Sequence, residues 1–308
     1  MMNIVIWILA ALIGLYIFFI VIPSFVSVPF IFSPKVGREL KKENFKGSYY
    51  DDWLDLLFED LDYLQALKGE EVRISSADGV ELFGNYYDNA SDKLIIMFHG
   101  FGVTPALNYA LPARLFNEAG WNMLLVDQRG HGRSGDRTYM GAKEKLDVPV
   151  WVDWAKKRGA EKIVIYGTSM GGATVLMASD LFKSGEAVRA IVSDSAYNSI
   201  NEQFRKEMKK RHQPTLMLPY VRMAAKIFYG INLREDAAKA LKKAEIPVIF
   251  MHGERDRKVP CTNLPELFEA CASEKYKISC EEADHICTLA TGAPKTGRQL
   301  LEILDRLI

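Results

Sequence analysis

Cysteine is scarce and unevenly placed. The four residues Cys261, Cys271, Cys280 and Cys287 all fall in the last fifth of the 308-residue chain, and no two have the Cys-x-x-Cys spacing. That excludes a zinc ribbon or a thioredoxin-type redox motif, and it argues against a disulfide framework in so long a chain, so the four are read as free thiols. A net charge is also missing: 39 basic side chains balance 39 acidic ones. No global field attracts a polyanion, and no nucleic-acid partner is expected. No Gly-x-x-x-x-Gly-Lys-Ser/Thr phosphate loop occurs, and Gly100-x-Gly102 alone is not a dinucleotide fingerprint.

Charge is absent altogether from Ile4 to Ile22. As a helix, this run spans about 28 Å at 1.5 Å per residue, close to the thickness of a bilayer's hydrocarbon core. A cleaved secretory signal would want a basic start, a shorter apolar centre and a small-x-small cleavage site. Met1, Met2 and Asn3 carry no side-chain charge, and Ser24-Phe25-Val26-Ser27-Val28 is a poor cleavage site. Residues 1–24 are therefore expected to be a retained transmembrane anchor with the bilayer as partner. Lys35, Arg38, Lys41 and Lys42 follow the span, which places the large domain on the cytoplasmic side by charge bias.

Residues 25–69 are expected to be a connector and an amphipathic helix. Pro23, Pro29 and Pro34 make 25–32 an interfacial connector rather than a helix. Over 49–67, Trp53, Leu57, Leu61 and Leu64 recur at helical spacing among Asp51, Asp52, Asp55, Glu59, Asp60 and Asp62. So many carboxylates argue against an anionic membrane surface, so this helix should pack on the domain that follows.

The composition, 49% hydrophobic and 25% charged, is that of a globular protein with a substantial core. Asp78-Gly79 separates two strand-like runs, 70–75 and 80–87, as in a β-hairpin. From residue 93 strands and helices alternate: strands at 93–98, 123–126, 162–166, 190–192, 247–251 and 276–280, helices at about 108–119, 145–158, 172–182 and 296–307. Apolar strands without a polar face call for a mostly parallel, doubly wound sheet covered on both sides, an α/β fold over residues 70–308. Residues 198–245 are too long for an ordinary crossover. Helical stretches at 200–210 and 218–229 are joined by Pro214 and closed by Gly230, which fits a small helical lid over the strand ends. The cluster Arg205, Lys206, Lys209, Lys210, Arg211 reads as a solvated helix face.

Gly167-Thr168-Ser169-Met170-Gly171 stands between a strand and a helix. Glycines two residues to either side of a serine suit a turn so sharp that a Cβ would clash there, and such a turn holds the hydroxyl out of the sheet. It also leaves the Met170 amide at the start of the helix, where a developing oxyanion can accept a hydrogen bond.

A serine nucleophile needs a base, and the base needs a carboxylate to orient it. Of the five histidines, His99 and His252 each precede a glycine at a strand end, and His131 lies in Gly130-His131-Gly132. These three read as turn or loop residues. His212 sits among charges in the lid, which leaves His285, on the loop after the last strand, as the base. For the acid, Glu254, Asp256 and Asp284 compete; Asp284 adjoins the base and is poorly placed to fold back on its ring.

The order Ser169, Asp256, His285 on successive strand ends, with the serine elbow and His99-Gly100-Phe101-Gly102 before it, resembles the α/β-hydrolase superfamily, in its prolyl-oligopeptidase-like and esterase-like branches. The likeness runs from about residue 70 to the C-terminus and takes in Asp127-Gln128-Arg129-Gly130-His131-Gly132-Arg133-Ser134. It implies Asp256 as the acid, the Phe101 amide as the second oxyanion donor beside Met170, and neither a metal nor an organic cofactor. The expected activity is acyl transfer to water on a small-molecule acyl substrate, an ester or thioester. An oligopeptidase would use the same residues, but such relatives carry a large N-terminal propeller, and about seventy residues precede the domain here. A catalytically silent scaffold at the membrane is the remaining reading.

Overall fold

A computed structural model describes residues 2–35, 41–48 and 50–308 of the chain. Arg38 and Tyr49, used in the sequence reading, lie outside the described residues. The first helix, α1 (Met2–Tyr16), runs through a π-helical turn (Ile17–Val21) into α2 (Ile22–Ile31). The segment expected as a connector is thus helical, for a local reason. Pro23 has no amide to donate, and the π turn before it, with Ile22 N–H donating to Ile17 O, widens the backbone to admit the ring. Pro29 lies close enough to the end that little helix follows it.

The amphipathic segment forms α3 (Leu54–Ala66). Leu54, Leu57, Leu61 and Leu64 bury one face, and Leu57 and Leu61 cluster with Leu107 and Ala110 of α4 (Pro105–Glu118). Asp60, buried on the same helix, is held by Arg114 Nη1 at 2.9 Å. The acidic helix therefore packs on the domain, as its carboxylate pattern predicted.

Eight strands build one sheet: β1 (Glu70–Ser75), β2 (Glu81–Tyr87), β3 (Lys93–Phe98), β4 (Asn122–Asp127), β5 (Lys162–Thr168), β6 (Val188–Asp194), β7 (Val248–Gly253) and β8 (Lys275–Cys280). Their order is β1-β2-β4-β3-β5-β6-β7-β8. β2 pairs antiparallel with both β1 and β4, and every other pairing is parallel. Residues from Ile95 and Ile96 to Val164 and Ile165 are buried on both faces, one alternating set joining each of two apolar layers. The covering helices are α4, α5 (Asp147–Lys157), α6 (Met170–Met177), α9 (Ala237–Leu241), α10 (Asn263–Ala270), α11 (Thr288–Thr291) and α12 (Lys295–Leu307). Between β6 and α9, α7 (Ile200–Lys210) and α8 (Leu218–Tyr229) form the helical insertion, and α8 packs along α2. All parallel strands point their C-terminal ends to one edge, where their loops gather.

Candidate active site

Ser169 occupies the turn between β5 and α6 with φ 55° and ψ −115°, a region that disfavours any side chain. Two close approaches hold it there. A Cβ at Gly167 would overlap the Gly171 carbonyl, and a Cβ at Gly171 would overlap the carbonyl of Phe98 on β3. Only glycine at both positions lets the helix start this near the sheet. The Ser169 amide donates to Asp194 O at 2.8 Å, tying the turn to the end of β6. Met170 opens α6, where first-turn amides have no intrahelical acceptor.

The loops after β5, β7 and β8 bring three distant side chains together. Ser169 Oγ lies 2.9 Å from His285 Nε2, and His285 Nδ1 lies 2.7 Å from Asp256 Oδ2. All three residues are buried, His285 most deeply at 1%. The geometry requires the neutral tautomer with the proton on Nδ1, so that Nε2 accepts from the hydroxyl. Burial lowers the His285 pKa below the ordinary histidine value, and the Asp256 carboxylate only partly offsets this. For Asp256, burial works against the charge, but hydrogen bonds from His252 and His285 and the Val259 amide outweigh it and hold the pKa well below the usual carboxylate range. Its other oxygen, Oδ1, accepts from the amides of Lys258 at 2.8 Å and Val259 at 2.7 Å.

The competing acids lie elsewhere. Asp284 accepts from the Arg257 backbone and side chain, and Glu254 is exposed. His99 and His131 act as loop staples: His99 Nε2 accepts from Gln128 N and His131 Nε2 from Gly102 N, each at 3.1 Å. Burial pushes their pKa values down, to about 4 for His99 and about 3 for His131, and keeps both rings neutral. Gly100 lies against the nucleophile, since a Cβ built on it would be 3.3 Å from the Ser169 Cβ. Phe101, the expected oxyanion donor, is therefore one residue away from a residue touching Ser169.

Two participants escaped the sequence reading. Read as a turn residue, His252 proves to be a second imidazole on Asp256, its Nε2 at 3.3 Å from Oδ2 and 2.9 Å from the Val259 carbonyl. Asn108, a polar side chain on the buried face of α4, accepts from the Gly100 amide at 2.6 Å and pins the loop carrying Phe101. A lone asparagine among apolar core positions was the available signal for the second; strand-end placement hid the first. Beneath the turn, Asp194 is buried and accepts from Ser195 Oγ at 2.9 Å and Thr288 Oγ1 at 3.1 Å. Burial raises its pKa to about 6. Among the described residues no cluster of His, Cys, Asp and Glu has the arrangement of a metal site.

Residues 93–213 match the family model described as alpha/beta hydrolase fold. Among curated proteins, the chain is 28% identical to the uncharacterized protein YqkD of Bacillus subtilis, over 76% of this chain and 78% of that one. It is 27% identical to protein bem46 of Schizosaccharomyces pombe over 56% of this chain and 54% of that one. An uncharacterized membrane protein of Saccharomyces cerevisiae, YNL320W, is 23% identical over 53% of this chain and 54% of its own length. Of solved structures, the Pyrococcus furiosus esterase Pf2001 superposes with a TM-score of 0.64 at 24% identity, covering 89% of this chain and 98% of that one. An esterase of Exiguobacterium antarcticum gives 0.58 at 19% identity, covering 77% and 100%.

Proposed function

We propose that this chain, a member of the α/β-hydrolase superfamily by fold, is a membrane-tethered serine hydrolase that cleaves carboxylic esters or thioesters through an acyl-enzyme. The observation that carries the reading is the unbroken relay from Asp256 through His285 to Ser169, with contacts of 2.7 and 2.9 Å. Ser169 Oγ attacks the substrate carbonyl carbon while His285 Nε2 takes its proton, and Asp256 stabilises the imidazolium that results. The amides of Met170 and Phe101 receive the negative oxygen of the tetrahedral intermediate. The intermediate expels the alcohol or thiol, protonated by His285, and leaves the acyl group on Ser169. Water then attacks that ester with His285 as base, and the carboxylic acid departs. The helix Met2–Ile31, apolar and long enough to cross a bilayer, supports the tether.

A fluorophosphonate probe tests the reading: the full-length protein should be labelled and Ser169→Ala should not. Equal labelling of the variant would remove Ser169 as nucleophile. Hydrolysis of p-nitrophenyl acyl esters compared with aminoacyl anilides then separates esterase from peptidase, and a clear preference for the anilides would reverse the assignment.

A further inference from the structure

The insertion carries an apolar stripe that the described residues leave largely uncovered. Leu216, Met223 and Ile227 recur at helical spacing and are 62%, 45% and 64% exposed, with partly buried Tyr220 between them. The opposite face of α8, Leu218, Val221, Ala224 and Ala225, is buried in the protein. Apolar on both sides, with only Arg222 and Lys226 charged, α8 has the composition of a helix meant to be apolar all round.

Its neighbour says what covers the outer face. Tyr220 Oη lies 3.0 Å from Tyr16 Oη, Ser24 Oγ donates to Met217 O at 3.3 Å, and Phe25 stacks edge-on with Phe228 at 5.9 Å. The side of α2 facing away from α8, Ile22, Val26 and Phe30, is exposed and continues the apolar surface of α1. Helix arithmetic then couples the two elements. If α8 stayed out of the bilayer, the span would have to end before Tyr16, and Ile4 to Leu15 reach only about 18 Å against a hydrocarbon core of roughly 30 Å. The anchor crosses the membrane only if the level of Tyr220 is inside it.

We infer that the outer face of α8, with the turn at Leu216, lies in the bilayer beside the anchor, and that the site beneath takes acyl amphiphiles from that leaflet. One apolar cluster joins Val28 and Phe32 of the anchor to Val221 and Ala224 of α8 and to Met170 behind the nucleophile, with Phe101 packed against it. Lys35, where the anchor ends, donates its amide to Gly130 O at 2.7 Å and holds its ammonium over the Phe101 ring at 5.3 Å. The membrane segment thus docks on the loops that shape the site. The substrate class, an acyl ester or thioester partitioned into lipid, rests on the hydrolase reading; the immersion of α8 does not.

Two measurements on the full chain in phosphatidylcholine vesicles test this. Ile227→p-benzoylphenylalanine should form a photo-crosslink with the mass of a phospholipid, and Lys157→p-benzoylphenylalanine, at the opposite edge of the sheet, should not. Absence of a lipid adduct at 227 overturns the immersion. In the double variant Met223→Asp with Ile227→Asp, hydrolysis of a long-chain acyl ester embedded in vesicles should fall about tenfold or more, given the cost of carrying carboxylates into lipid. Turnover of soluble p-nitrophenyl acetate should change by less than about twofold, because no catalytic group moves. Equal loss on both esters, or none on either, overturns delivery from the leaflet. A lipid adduct at position 227, together with a wild-type protein that cleaves neither ester, would uphold the immersion and sink the esterase reading alone.

Discussion

His252 and His285 grip the same oxygen of Asp256: Oδ2 lies 3.3 Å from His252 Nε2 and 2.7 Å from His285 Nδ1. Burial disfavours a charged His252, yet Asp256, the Val259 carbonyl and the Asp194 charge together raise its pKa above the ordinary value. A cation held there lowers the pKa of His285 in turn. His252 is thus a positioning residue, acting through the carboxylate. In His252→Gln the acid limb of kcat/KM should move to higher pH, because both the repulsion and the competitor for Asp256 are gone. A pH profile unchanged from wild type would leave His252 with a structural role only.

Asp256→Asn should lower kcat by roughly 10⁴-fold with KM little changed, since an amide that donates to Nδ1 leaves the proton on Nε2 and the wrong tautomer facing Ser169. The amides of Lys258 and Val259 still find an oxygen at Oδ1, so the loop should keep its shape. Steady-state kinetics together with a melting curve separates this from unfolding.

The backbone at Ser169 carries strain that a stability measurement can read. With φ 55° and ψ −115°, any Cβ is disfavoured, and glycine relieves it. Ser169→Gly should be more stable to urea than Ser169→Ala by about 1–3 kcal/mol, with both variants inactive. Equal midpoints would mean the turn is not strained.

Asp194 predicts how stability varies with pH. Its folded pKa, about 6, lies above that of an unfolded aspartate, so the fold binds a proton there more tightly than the unfolded chain does. Its favourable contribution is complete below about pH 4 and is lost as pH rises through 6, a span of roughly 3 kcal/mol at most. Asp194→Asn keeps the acceptors for Ser195 and Thr288 and carries no charge to bury. At pH 7 it should unfold at higher denaturant than wild type, and the difference should vanish near pH 4. A difference that does not change between pH 4 and 7 would mean Asp194 is ionised at no cost.

The alternation of apolar strands with helices was legible because a parallel sheet buries both its faces and leaves no polar stripe, as Ile95, Ile96, Val164 and Ile165 illustrate. The turn at Ser169 was legible because Gly167 and Gly171 stand where backbone meets backbone, a constraint that only one residue type satisfies. The helix over Ile22–Ile31 was not: three prolines outweighed it, and what tolerates the two inside it is a widened turn together with packing on α8, some two hundred residues further on. His252 stayed hidden for a similar reason. Its partner Asp256 is four residues away along a loop whose reversal no spacing announces.

By itself the sequence determined the local grammar of this protein: which runs are strand or helix, where the backbone must bend, and which residue types can exchange a proton. Tertiary structure decided which of three carboxylates faces the imidazole, which histidine stands behind it, and which apolar face the protein leaves exposed. Those outcomes depend on distances between points far apart in the chain, set by packing the whole sheet and its insertion, and a linear pattern does not encode them singly.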